Sequence, residues 1–174
     1  MPNFHPTIDI DMVIEALGAF VQLFMQGGVV TRAQVNRVPF PEVPNAVLTE
    51  LLTVDIDLPY GTYELASSSL STIHGPQRID IQIDVYGALA GEIITAIKTA
   101  FRSEWAASQF PESIKPLYTD DGIQAPLVTG EQQYESRWTL KASLQYNPTM
   151  TVPQQFADVS TVTVALTDAV DLPN

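Results

Sequence analysis

From Tyr134 to Tyr146 apolar and polar residues take turns: Trp138, Leu140, Ala142, Leu144 and Tyr146 alternate with Arg137, Thr139, Lys141, Ser143 and Gln145. A period of two predicts an antiparallel strand with one face on a core and the other on water. Asn147-Pro148 ends it, because proline has no N–H for the ladder and fixes its own φ. Arg78–Tyr86 repeats the pattern, with Ile79, Ile81, Ile83 and Val85 facing in and Arg78, Asp80, Gln82, Asp84 and Tyr86 facing out. Ala46–Leu58 predicts a third strand whose apolar set is Val47, Leu51, Val54, Ile56 and Leu58. Its phase shifts near Leu51-Leu52, as a bulge would make it do. Val29–Val38 reads as a further strand before Pro39, Pro41 and Pro44, and Val159–Leu166 as a last, edge-type strand.

Two segments switch to the helical period. In residues 9–25, Ile10, Val13, Ile14, Leu17, Val21 and Phe24 share one face, Asp9 and Asp11 favour the N-terminal turn, and Gly27-Gly28 stops the helix. Gly87 breaks the strand before it, and Ala88–Ala106 then predicts a second helix with Leu89, Ile93, Ile97, Ala100, Phe101 and Trp105 inward. The order is helix, strands, helix, strands. It predicts an α+β fold: a single domain over 1–174, with a mainly antiparallel β-sheet and two helices packed on one face.

The remaining segments are connections. Residues 60–76 are small, polar and weakly patterned, and read as a long hairpin or a loop arm ordered against a neighbour. Asp120-Asp121-Gly122 is a turn signal. Val152–Phe156 reads as a docked connector with Gln154 and Gln155 exposed. Thr167–Asn174 is acidic and reads as a frayed tail.

Composition narrows the function classes. Zero cysteines exclude disulfides, thiolate metal sites and a cysteine nucleophile together. No apolar run suits a membrane span, and Met1–Pro6 lacks the order of a secretion signal, so synthesis in a cytoplasm is expected. The net charge of −12, from 20 acids against 8 bases, opposes a protein that grips DNA by neutralising phosphates. An acidic surface also keeps copies soluble.

Catalytic chemistry finds no foothold. Asp55-x-Asp57 puts two carboxylates on one strand face, without a third ligand nearby, and so reads as a solvated face. His5 and His74 lack an acid–base partner in sequence and read as exposed loop histidines. Gly87-x-x-x-Gly91 has neither the spacing of a dinucleotide fingerprint nor the lysine of a P-loop. No enzyme activity, cofactor or metal is expected.

A series of short words in order carries a resemblance. They are Asn36-Arg37-Val38-Pro39, Asp84-Val85-Tyr86-Gly87, Phe101-Arg102-Ser103-Glu104 and Pro116-Leu117-Tyr118. Gly130-Glu131-Gln132-Gln133-Tyr134-Glu135 with Arg137-Trp138 follows, then Gln145-Tyr146-Asn147-Pro148 and Val152-Pro153-Gln154-Gln155-Phe156. Over roughly residues 8–158 the chain resembles the neck or tail-terminator proteins of tailed bacteriophages. The resemblance implies a structural virion protein at the tail–neck junction, a homohexameric ring capping the tail tube. The ring would stop elongation and join the neck or connector proteins, and in contractile tails the sheath. DNA would pass through its acidic bore without specific binding. The alternative at the same junction is a head-completion or neck adaptor protein. Interface candidates are Tyr63, Glu64, His74, Asp120, Asp121, Gln154 and Gln155, on the three connecting segments. Duplex DNA titrated against the protein at physiological salt is expected to give no gel shift; tight, salt-sensitive binding would show that the few bases gather into one patch.

Overall fold

The computed structural model describes residues 4–33, 42, 44–63, 70–125, 127–128 and 134–154. Helix α1 spans Ile10–Gln22, and strands β1 (Val29–Arg32), β2 (Asn45–Asp55), β3 (Tyr60–Tyr63), β4 (Leu70–His74) and β5 (Gln77–Tyr86) follow. Helices α2 (Ala90–Phe101) and α3 (Glu104–Gln109) come next. The chain continues through β6 (Ile114–Thr119), β7 (Ile123–Gln124), β8 (Leu127–Val128), β9 (Tyr134–Glu135), β10 (Arg137–Tyr146) and β11 (Thr149–Pro153). This is the single, mostly antiparallel α+β domain that the periodicities predict. The expected strand Val159–Leu166, the tail 167–174 and positions 34–38 of the expected strand Val29–Val38 lie outside the described residues.

The two best alternating segments form the middle of the main sheet. Its order is β1-β2-β5-β10-β6, with β7 also on β10, and β5 and β10 pair antiparallel over ten residues, from Arg137↔Tyr86 to Tyr146↔Gln77. Among the described strands only β1 runs parallel to its neighbour, β2. Ile79, Ile81, Ile83 and Val85 of β5 and Leu140, Ala142 and Leu144 of β10 are fully buried on one face. Fully burying side chains of this size stabilises by roughly 1.5–3 kcal/mol each for the larger ones.

The helices cover that face and no other. Asp9 is the N-cap of α1, its carboxylate accepting from the Met12 N–H at 2.9 Å, a cap worth about 1 kcal/mol. Gly27, at φ 81°, turns the chain after the helix in the left-handed region where glycine has no steric cost. Phe20 then binds the layer together: its ring lies 5.7 Å from Phe101, 5.2 Å from Phe110 and 5.3 Å from Phe24. The predicted helix Ala88–Ala106 is in fact two. Ser103 divides it, its hydroxyl donating to the Ala100 carbonyl at 2.6 Å and accepting from the Ala106 N–H at 3.1 Å. A serine that caps a new helix offers the backbone an alternative to continuing the old one. Leu89 and Trp105, expected inward, are about half exposed: Leu89 is the N-cap of α2, and Trp105 lays its ring beside Phe20 and Phe24 at the edge of the layer.

Among the described residues the opposite face of the sheet carries no helix, yet it is not simply solvated. Asp84, expected to face water, is buried and accepts from Arg137 Nε at 3.1 Å, Thr139 Oγ1 at 2.6 Å and Gln82 Nε2 at 2.7 Å. Asp80 is buried too, accepting from Ser143 Oγ at 2.7 Å and pairing with Arg78 Nε at 3.3 Å. Tyr86 lies under the Arg137 guanidinium, 5.7 Å from its ring centre, and desolvation raises its pKa first among several causes. These cross-strand partners sit opposite one another, Thr139↔Asp84 and Ser143↔Asp80, so the polar pairs fix the same register as the apolar ones.

A second sheet, β11-β4-β3, grows out of the first. Each of its strands adjoins a strand of the main sheet in sequence: β3 follows β2, β4 precedes β5 and β11 follows β10. All three junctions contain a proline: Pro59, Pro76 and Pro148. Proline cannot donate to the ladder, so the main sheet stops at one level across three strands and a new sheet starts beyond it. Ile56 N–H to the Pro76 carbonyl and Gly75 N–H to the Pro148 carbonyl, both 3.0 Å, tie the junction.

Trp138 sits where α2 crosses β10, close enough to Gly91 that a Cβ there would lie 3.0 Å from the indole. The tryptophan is half-buried at the margin of the core. Replacing it by alanine is expected to cost about 2–3 kcal/mol, below the 3–5 of a fully enclosed aromatic. Thermal melting checks this; an unchanged melting point would remove Trp138 from the packing account.

Candidate interaction surface

A run of exposed apolar residues follows one margin of the main sheet. β1 pairs with β2 only from Asn45 to Leu48, so the second half of β2 has no outer neighbour among the described residues. The register slips between Glu50 and Leu52, the bulge that the phase shift near Leu51-Leu52 predicts. Past the bulge, Leu51, Val54, Ile56 and Leu58 of the expected apolar set are exposed, Leu58 by 81%, and so are Leu52 and Tyr60. Ala46 and Leu48, before the bulge, supply the core contacts of this strand.

That margin continues into the small sheet, because β3 follows β2 and is the edge strand of β11-β4-β3. The charges beside it are acidic. Asp55 accepts from Gln77 Nε2 at 2.9 Å and Asp57 from the Leu58 N–H at 2.7 Å, neither with a base. Glu50 reaches Arg32 at 3.9 Å.

The far margin of the main sheet is β6. It exposes Lys115, Leu117 and Tyr118, while Ile114 and Thr119 are buried against the sheet. Pro116 interrupts its ladder, which keeps this edge from pairing with another strand through the backbone. Arg32, Arg78, Lys98, Arg137 and Lys141 each meet a carboxylate within the protomer. Two described bases instead contact carbonyls, and both are at this margin. Arg102 Nη2 donates to Thr119 O at 3.0 Å and Lys115 Nζ to Ala107 O at 3.5 Å.

The residues singled out in sequence fall in two places. Tyr63 ends β3 opposite Ser71, and His74 ends β4 opposite Tyr60 and Thr149, so both belong to the small sheet. The 60–76 segment is thus a hairpin where described. His74 is no loop histidine: it stacks on Tyr60 at 4.7 Å and shares a 2.9 Å hydrogen bond with Thr62 Oγ1. The connector Val152–Phe156 begins as strand β11, because Thr149–Pro153 finds a ladder partner in β4. Gln154, expected to be exposed, is half-buried with no hydrogen-bond partner for its Oε1. Glu64 and Gln155 lie outside the described residues.

Asp120 and Asp121 lie beside β6, away from the small sheet. Asp120 pairs with Lys141 at 2.9 Å, a hydrogen bond that raises the lysine pKa. Asp121 pairs with Lys98, whose hydrogen bond lowers the aspartate pKa. Sequence reading missed the margin at Leu52–Tyr60 because it grouped Val47, Leu51, Val54, Ile56 and Leu58 as one apolar set across the bulge. The signal was the run of five apolar residues at strict alternation, 52 to 60, that continues past the bulge and through Pro59.

Among the described residues no three His, Asp or Glu side chains converge as metal ligands, and no helix is long and apolar enough to cross a membrane. Extended margins with paired charges between them can bind a protein surface. No curated protein matches the chain. A family model does, described as phage neck terminator protein, and it spans residues 11–168, from the first turn of α1 to beyond β11. The chain therefore belongs to the phage neck terminator proteins, structural components of the phage neck and tail.

Proposed function

We propose that this protein assembles into a homohexameric ring that caps the last ring of the tail tube. Capping occupies the surface that the next tube ring would use, so elongation stops. The opposite surface of the ring receives the neck or connector proteins of the head, and in a contractile tail the ring also anchors the last sheath ring. The family match over residues 11–168 carries this reading. The form of the chain supports it: a sheet clamped by a helical layer, with exposed apolar and charged margins.

A terminator works by binding, and six copies acting together bind far more tightly than one, because each later contact is made within an assembly already held in place. The small sheet and the residues around Asp120–Gly122 are the contact elements toward the tube and neck. They are connections held by the main sheet. The acidic balance of −12 suits a ring through which DNA travels without adhering.

A phage lacking this gene is expected to make tails of irregular and often excessive length that fail to join heads, and added purified protein to restore joining. Electron micrographs of the mutant lysate decide it. Tails of normal length with unstable heads would favour a head-completion protein at the same junction.

A further inference from the structure

The two margins of the main sheet differ in a way that a ring can use. A closed ring joins copies head to tail, so each contact brings together two different surfaces of the same chain. One margin offers Leu52, Val54, Ile56 and Leu58 with Asp55 and Asp57, acids that have no base partner among the described residues. The other offers Leu117 and Tyr118 with Lys115 and Arg102, two described bases whose hydrogen bonds go to carbonyls, Arg102 also lying within reach of the Asp121 charge. Glu112 is exposed beside Lys115, so attraction across such a contact is local to the facing side chains and not a property of the whole margin.

Resting on the ring reading, we infer that the β2 margin of one copy packs against the β6 margin of the next. Lys115 and Arg102 face Asp55 and Asp57, and Leu117 and Tyr118 cover the apolar run. Both margins belong to one sheet and lie on opposite sides of it, with β5 and β10 between them. Rotation about a ring axis therefore brings the second margin of one copy to the first margin of its neighbour. Pro116 prevents a backbone ladder across the seam, so the contact is made by side chains. Exposed apolar area in the centre with opposed charges beside it is the usual make-up of a specific protein contact.

Charge exchange tests the pairing. Asp57→Lys and Lys115→Glu each place like charges across the seam and are expected to lower the ring population at least tenfold, read by native mass spectrometry with the tube protein present. Both changes in one chain restore opposite charges and are expected to recover rings to near the wild-type level. Both side chains are exposed, so melting should be unchanged in all variants. Leu58→Ser, at the most exposed apolar position of the margin, should weaken rings without affecting melting. A double variant no better than the worse single variant, or singles that assemble normally, would overturn this seam while wild-type rings still stand for the function. Wild-type protein that forms no ring on the tube would count against the function itself, and the seam would fall with it.

Discussion

The ten-residue pairing of β5 with β10 is the constraint on which the rest depends. One register satisfies two demands. On the covered face it sets isoleucines, leucine and alanine against the helices, and on the other it sets Asp84 opposite Thr139 and Asp80 opposite Ser143. A slip by one residue would exchange the faces, placing carboxylates in the apolar core and isoleucines in the open. Removing one member of a buried ion pair leaves a charge that neither water nor a partner solvates, a loss that reaches about 3–5 kcal/mol in closed sites. The Asp84–Arg137 pair is partly open to water at the guanidinium, so its share is smaller. Its role is to exclude other registers.

From that pair the remaining features follow outward. β2 and β6 add to its two sides and become the margins, β2 because among the described residues β1 covers only its first half and β6 because its strand carries Pro116. Proline at each of three junctions halts the main sheet and starts the small one, which keeps the small sheet tied to a rigid base. The helical layer is fixed through Phe20, whose contacts with Phe101 and Phe110 join α1 to the segment holding α2 and α3. The core lies between sheet and helices, and the exposed groups suited to partners lie on the sheet margins.

How much of this could be read in the sequence depended on whether a local period decided the outcome. Arg78–Tyr86 and Tyr134–Tyr146 were legible because alternation of such length has one physical solution, although Tyr134–Glu135 pairs separately as β9. The bulge at Glu50–Leu52 was legible as a break in phase. What the alternation could not tell was which face of β2 beyond the bulge would find a partner, since exposed and buried apolar strands look alike in sequence. Ser103 was misread because a serine cap and a mid-helix serine differ only in context. His74, assigned to a loop, lies in a strand because Tyr60 and Thr62, distant by more than ten residues, give it a ring and a hydroxyl to meet. For function, the short words spread along the chain pointed to the neck proteins that the family match then established, while no single side chain could have done so.

The central claim is that this neck protein ends the tail tube as a ring of six. Averaged cryo-electron micrographs of the tail–neck junction, with the protein identified by an antibody or a fused density marker, test it most directly. The account predicts one sixfold ring of this chain seated on the head-proximal end of the tube. A twelvefold ring, or marker density on the head side with tube rings meeting another protein, would contradict it.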